Sequence, residues 1–246
     1  MVKKPKEDQA NLGWLFYKDY FRDLDFINLA QNQEKIKAKI NTILTTSITL
    51  NKKNSNLLNI KTFTLKTTYP GLLLGSGYIH ELPDIKEQVI LGFDFDYTTG
   101  IPIIRGSSIK GALKSVFKCE EYVLEVIDRL RGETKNIKKL QEDLFEKGNI
   151  VFLDAEIIYI GKDGLLKDDY ITPHKKEQNS FSKVYEEFKN PAPLRFIKIA
   201  PNVEFEFRFI FNKKYEKYLP FFKQIILDIG LGAKTNVGYG KFIEEK

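Results

Sequence analysis

The chain has 246 residues, 42% of them hydrophobic and 29% charged, which is the balance of an ordinary globular protein long enough for one substantial core. A lone cysteine, Cys119, excludes an internal disulfide and a cysteine-based zinc site, and no apolar run approaches the roughly 18–20 residues that cross a bilayer. The opening Met-Val-Lys-Lys-Pro-Lys lacks a signal-type apolar region, so a cytoplasmic protein without membrane partners is expected, and a net charge of +6 fits either a polyanionic partner or a solvated lysine-rich surface.

Residues 1–54 read as an N-terminal helical extension packed on the remainder. Asn11 to Tyr20 mixes aromatic and small residues without a clear period, whereas Ile36, Ile40 and Ile43 recur at helical spacing. The polar run from Asn51 to Asn56 breaks that pattern. Residues 55–246 are then read as one domain with insertions at about 70–104 and 161–194. Leu58, Ile60, Phe63 and Leu65, interleaved with threonines and lysines, predict its first strand, and Tyr69-Pro70-Gly71 ends it as a turn.

The irregular stretch from Leu72 to Arg105 includes Gly75-Ser76-Gly77 and Phe93-Asp94-Phe95-Asp96. After it, Ile109, Ala112, Leu113, Val116 and Phe117 fall on one face of a helix, with Ser107 or Ser108 suited to cap its start. That start gathers amide donors, a partial positive charge, Arg105, Lys110 and Lys114, the makings of a phosphate-binding end. Asn149 to Ile160 is strand-like, and Gly161-Lys-Asp-Gly164 turns into the second, polar insertion, which ends near Pro193. Phe205, Phe207, Phe209 and Phe211 alternate with Glu204, Glu206, Arg208 and Ile210, the clearest strand in the chain. Tyr215 to Ile229 is helical, with Pro220 marking where the regular part begins and Leu219, Phe222, Ile225, Ile226 and Ile229 forming its buried stripe.

Between that helix and a final strand stands Gly230-Leu-Gly232-Ala-Lys234-Thr235-Asn236-Val-Gly238-Tyr-Gly240. It is not a nucleotide P-loop, because Ala233 separates Gly232 from Lys234-Thr235 and the order is helix, loop, strand. The dinucleotide fingerprint fails too, since Thr235 stands where the third glycine belongs. Two readings remain: a tight glycine turn, or a loop whose amides converge on an anion. Without the insertions the order is strand, helix, strand, strand, helix, strand. This is an α+β, ferredoxin-like or RRM-like βαββαβ core, a plan that fixes no function by itself.

Catalytic groups are few. His80 and His174 lie in insertions, far apart in sequence, where loop roles compete with general acid–base roles. Asp94 with Asp96, Asp154, and Asp168 with Asp169 are the carboxylates a metal-dependent nuclease would draw on, but their spacing makes no ligand cluster.

Arg105-Gly-Ser-Ser-Ile-Lys-Gly-Ala-Leu-Lys114 and the loop Gly230–Gly240 resemble the two signature segments of the RAMP superfamily, the repeat-associated proteins of CRISPR systems. The form Gly-Ala-Lys-Thr-Asn-Val-Gly-Tyr-Gly is most similar to the subunit-six family of the type III-B Cmr complex. Asn11-Leu-Gly13, the segment from Tyr69 to His80, Phe152-Leu-Asp-Ala155 and Thr172-Pro-His174 agree with it in order along the chain. Arg105 replaces the family's usual proline, and Lys175 replaces a frequent tyrosine. The resemblance implies a RAMP fold and a non-catalytic, guide-RNA-binding structural subunit without cofactor, capping the backbone filament near the guide's 3′ region. Its partners would be CRISPR guide RNA, target RNA, a backbone RAMP subunit and a neighbouring cap RAMP subunit. The competing readings are a RAMP endoribonuclease acting on CRISPR RNA, or a backbone or cap subunit of another type III complex. Phosphate contacts that ignore base identity are expected from Arg105, Ser107, Ser108, Lys110 and Lys114 at the helix, and from Gly232, Lys234, Thr235, Asn236 and Gly238 at the loop. A hairpin wedge between bases, as in related backbone subunits, would fall in Tyr78–Thr99 or Gly161–Pro193.

Overall fold

The structure is a computed structural model that describes residues 11–50, 59–74, 82, 89, 93–132, 136–171 and 194–245. Helices α1 (Leu12–Tyr17) and α2 (Gln33–Thr45) precede strand β1 (Ile60–Thr67). Helices α3 (Gly106–Ser115), α4 (Glu120–Arg129) and α5 (Ile137–Phe145) follow it. Strands β2 (Ile150–Phe152), β3 (Glu156–Tyr159), β4 (Leu166–Ile171), β5 (Leu194–Ile199) and β6 (Glu204–Phe211) come next, then helix α6 (Leu219–Ile229) and strand β7 (Phe242–Ile243).

The main sheet runs β2-β6-β1-β7 and is antiparallel throughout, with β3 also pairing to β6. Its register follows from the alternation in β6. Because successive strand residues face opposite sides, the four phenylalanines Phe205 to Phe211 all reach the buried face. Across the β1 pairing, Leu65 lies opposite Phe205 and Phe63 opposite Phe207, whose rings stack at 5.1 Å. On the other face Lys66 lies opposite Glu204 and pairs with it at 3.1 Å.

Helices α3 and α6 pack together against the aromatic face. Phe222 of α6 meets Phe209, Phe152, Phe145 and Phe211 with ring centroids 5.5, 5.6, 6.0 and 6.0 Å away. Phe117, just after α3, closes this cluster against Phe145 and Phe221. The buried stripes expected for both helices are therefore where the core lies. The isoleucines Ile36, Ile40 and Ile43 are buried on one face of α2, while Phe16 of α1 packs edge-on against Phe93 at 5.8 Å. Gly13 N–H donates to the Gly100 carbonyl at 3.1 Å, which seats α1 on the turn after Phe95.

Three local expectations change. The strand-like run 149–160 is two strands, because Asp154 turns aside to meet α3 while Leu153 and Ala155 bond in different directions, to Arg208 and Ile104. The second insertion holds β4, which pairs with β5 in a separate two-stranded sheet; residues 172–193 lie outside the described residues. Helices α4 and α5 fill the stretch between α3 and β2, where no element was expected. Val123, Val126 and Ile127 form the buried stripe of the first, and the Asn136 side chain caps the second by accepting from Lys139 N–H at 2.9 Å. Gly75–Gly77, His80, His174 and the run Asn51–Asn56 also fall outside the described residues.

Replacing Phe222 by Ala empties the centre of this cluster and is expected to cost about 3–5 kcal/mol in urea denaturation. Val151→Ala, on the exposed side of β2, should stay within about 0.5 kcal/mol of the parent. Equal effects of the two would refute the packing.

Candidate nucleic-acid interface

Helix α6 stops at Gly230, whose φ of 75° only glycine adopts without strain. The loop after it is fixed by main-chain bonds. Leu231 N–H donates to Gly240 O at 2.9 Å, Ala233 N–H to Leu73 O at 2.8 Å, and Gly240 N–H to Gly71 O at 2.8 Å. A Cβ on Gly240 would stand 1.8 Å from the Leu231 carbonyl oxygen, and one on Gly232 would stand 2.4 Å from that of Leu73. These contacts, more than turn geometry, demand glycine. Lys241 Nζ donates to the Asp228 and Ile229 carbonyls at 3.0 and 3.1 Å, satisfying the open end of α6.

At the loop's outer turn Lys234 has φ 59° and ψ 36°, the left-handed region, and begins a 3-10 turn over Thr235–Val237. For a residue with a Cβ this conformation costs about 1–2 kcal/mol, so the surrounding glycines and bonds impose it. Lys234 is exposed and has no ion-pair partner among the described residues. Asn236 is exposed beside it, with Thr235 and Gly238 half-buried.

The start of α3 corrects an expectation. Neither Ser107 nor Ser108 caps it; they are the second and third helical residues, with Arg105 at the boundary. The cap arrives from elsewhere: Asp154 Oδ1 accepts from Gly106 N–H at 2.7 Å. A carboxylate at this place also complements the helix dipole. Gly106 permits the approach, because a Cβ there would lie 2.1 Å from the Phe152 carbonyl oxygen. Arg105 is shared between Asp94 at 3.3 Å and Asp154 at 3.6 Å. The amides of Ser107 and Ser108 have no acceptor among the described residues, and both side chains are exposed.

Loop and helix meet. A cleft of about 360 Å³ lies between them, lined by Ile104, Arg105, Ser108 and Ala112 on the helix side, by Leu231, Gly232 and Ala233 on the loop side, and by Leu74. Of the residues expected to bind phosphate, Arg105, Ser108 and Gly232 thus face one another across a single space. Ser107, Lys110, Lys114, Lys234, Thr235, Asn236 and Gly238 do not line it. Lys110 sits roughly 160° around the helix from Ser108, with its Nζ 5.9 Å from the Phe152 ring centroid. Lys114 Nζ is engaged by Glu146 at 3.0 Å.

With the two corners placed, relatives become informative. Residues 64–243, from within β1 to the end of β7, match the RAMP superfamily. The chain belongs to the RAMP superfamily. It is similar, at 29% identity and a TM-score of 0.56, to a chain in the cryo-EM structure of the type III-B Cmr-beta bound to cognate target RNA. That similarity covers 76% of this chain and 58% of the other, so this RAMP protein spans little more than half of that neighbour's length. It also shares a fold with Cmr6 from Pyrococcus furiosus, at 21% identity and a TM-score of 0.50, covering 77% of this chain and 100% of that one. No curated protein sequence matches it significantly.

The other aspartates singled out by sequence, Asp96, Asp168 and Asp169, are engaged within the scaffold. Asp96 Oδ1 closes a turn on the amides of Thr98 and Thr99 at 3.1 and 2.7 Å. Asp168 receives Arg195 at 2.7 Å. Asp169, a candidate metal ligand by sequence, instead ties β4 to Lys198 on β5 and to the loop through the Tyr239 hydroxyl, which donates at 2.8 Å. Among the described residues no three of His, Cys, Asp and Glu gather where they would hold a metal ion. No local pattern announces the Tyr239–Asp169 bond or the Asp154 cap, since each joins residues about 50 or more positions apart.

Burial pushes the Asp169 carboxyl up, but the Lys198 ammonium, the Tyr239 hydroxyl and the Tyr170 amide outweigh it and hold it below its ordinary 3.8. Burial first, then the bond to Asp169, pushes Tyr239 up to about 12. A depressed carboxyl adds stability above its unfolded value and loses it as pH falls through the folded one. This junction should therefore be insensitive to pH near neutrality and loosen only in acid below 3.8. Carbon-detected titration of Asp169 should move toward 3.8 in Tyr239→Phe; an unchanged midpoint would refute the bond.

Proposed function

We propose that this RAMP protein is a non-catalytic, guide-RNA-binding subunit of a type III-B Cmr effector complex, capping the backbone filament near the guide's 3′ region. The carrying observation is Lys234, an exposed cation held in left-handed backbone by a glycine loop that faces the start of α3. Glycine would adopt that backbone more cheaply, so a lysine there is best explained by what its ammonium meets. The amides of Ser107 and Ser108 at the open start of α3, and the hydroxyls beside them, are donors suited to phosphate oxygens. None of these reads a base, which suits a strand whose sequence varies.

Several further points support this reading. The sheet order β7-β1-β6-β2, with α3 and α6 packed together, supports reading the core as ferredoxin-like, to which α1 and α2 would be an N-terminal extension. A neighbour at 29% identity belongs to a Cmr assembly bound to target RNA, which supports guide and target RNA and other Cmr RAMP subunits as partners here. The endoribonuclease reading is less favoured, because Asp94, Asp96, Asp154, Asp168 and Asp169 are each engaged in capping, turn or ion-pair roles. No helix among the described residues is long and apolar enough to cross a membrane.

Lys234→Gly separates binding from folding. It relieves left-handed strain while adding chain entropy to the unfolded state, so stability should change by less than about 1 kcal/mol. Affinity for single-stranded RNA should fall, and the slope of log K against log salt should shrink by about 0.7 if the lysine neutralises one phosphate. Lys114→Ala should leave that slope nearly unchanged. An unaltered slope in Lys234→Gly refutes the contact. Shortened RNA after prolonged incubation with the chain and divalent metal would instead favour the nuclease reading.

A further inference from the structure

The turn that ends β1 holds a large ring that the packing leaves in solvent. Tyr69 is 85% exposed, although the backbone on both sides of it is pinned. Before it, Thr68 donates to the Lys241 carbonyl from its N–H at 3.0 Å and from its hydroxyl at 3.2 Å. After it, Gly71 O accepts Gly240 N–H at 2.8 Å, and Leu72 and Ile199 exchange both main-chain bonds at 3.0 and 2.9 Å. The ring therefore projects from a fixed base and not from a free loop.

That base adjoins the phosphate seat. A Cβ on Gly238 would touch Pro70 Cδ at 3.5 Å, which places the turn directly beside the loop's last residues. Tyr69 is close enough to Tyr239 to contribute to raising its hydroxyl. From Gly71 the chain runs on to Leu73, whose carbonyl holds Ala233, and to Leu74, which lines the cleft. The nearby exposed side chains of the loop are Lys234, Asn236 and Val237, one cationic, one polar and one apolar. An aromatic face among such neighbours suits a nucleobase better than an apolar protein surface, whose contacts cluster aromatic with aliphatic groups.

We propose that Tyr69 is a stacking platform for one nucleobase of the RNA strand whose phosphate lies at Lys234. The inference rests on the RNA-binding reading above. Every base has a π-face, so a single platform adds affinity and fixes the strand's register without imposing sequence. A tyrosine on a pinned backbone loses little freedom on doing so, because only two side-chain torsions are fixed.

The test uses the full chain and two single-stranded oligonucleotides of equal phosphate count, one bearing bases and one abasic at consecutive positions, titrated across a salt series. Tyr69→Ala should weaken binding of the base-bearing RNA about tenfold with the salt slope unchanged. Tyr69→Phe should bind like the parent, and the abasic strand should not distinguish Tyr69→Ala from the parent. If Tyr69→Ala stays within twofold of the parent while Lys234→Gly weakens binding, stacking is refuted and the phosphate seat survives. If Tyr69→Ala weakens both oligonucleotides equally, the ring meets the sugar-phosphate backbone and stacking is refuted. If neither variant alters binding, the RNA-binding reading falls with it. Loss of a protein partner from the purified assembly, with RNA affinity intact, would make Tyr69 a subunit contact and overturn the proposal.

Discussion

Leu231, Leu73, Gly71 and Gly240 meet main chain to main chain, and the geometry of the candidate site depends on that meeting. Their bonds clasp the loop after α6 to the segment after β1, and Leu72 clasps that segment in turn to the end of β5. Three stretches far apart in sequence thereby share one set of amides and carbonyls. Such contact leaves no room for side chains, which is why a Cβ on Gly232 or Gly240 would fall well inside van der Waals distance of a carbonyl oxygen. A backbone-built corner has a functional consequence. The backbone that carries Lys234 is fixed before any ligand arrives, so little ordering cost would remain to be met on binding.

The second constraint is electrostatic. The start of α3 has the partial positive charge that phosphate binding exploits, yet Asp154 already takes the Gly106 amide and, with Asp94, shares Arg105. Two carboxylates around one guanidinium leave these side chains with a formal charge of −1, which the partial positive charge of the helix start offsets only in part. What remains for an anion is local and directional: the amides of Ser107 and Ser108, and the ammonium of Lys234 on the glycine loop. The mild basic excess of the whole chain is thus a poor guide to this site, because Lys110, Lys114 and Lys241 are engaged by a ring, a carboxylate and helix carbonyls.

Much of the fold was legible because period and burial coincide. The alternation from Glu204 to Phe211 states which face of β6 is buried, and the spacing Ile109, Leu113, Val116 does the same for α3 and the turn after it. The glycine loop was legible as a special backbone, since glycines at 230, 232, 238 and 240 are hard to reconcile with a regular element. What local pattern did not carry is which elements meet. The serine pair before Ile109 reads as a cap by composition, but a carboxylate 48 positions beyond Gly106 does that work. Lys110 and Lys114 share a segment with Ser108, yet the turn of the helix keeps them out of the cleft that Ser108 lines. Sequence proximity grouped residues that three-dimensional rotation separates.

These features bear on why such a subunit would work within an assembly. On the proposed reading, Lys234 and the two free amides of α3 would offer only a handful of phosphate contacts, each contributing modestly at physiological salt. A seat this small would bind weakly alone, but neighbouring seats on one strand would multiply: once a first subunit held the RNA, the next would meet it at a high effective concentration. Tight contact at every subunit would be a disadvantage, because a strand pinned by each protein separately would resist the common register that pairing with a target requires. A rigid corner with few free donors would favour register over raw affinity. On this view the carboxylates around Arg105 are not a defect of an RNA-binding surface but part of how its strength is set.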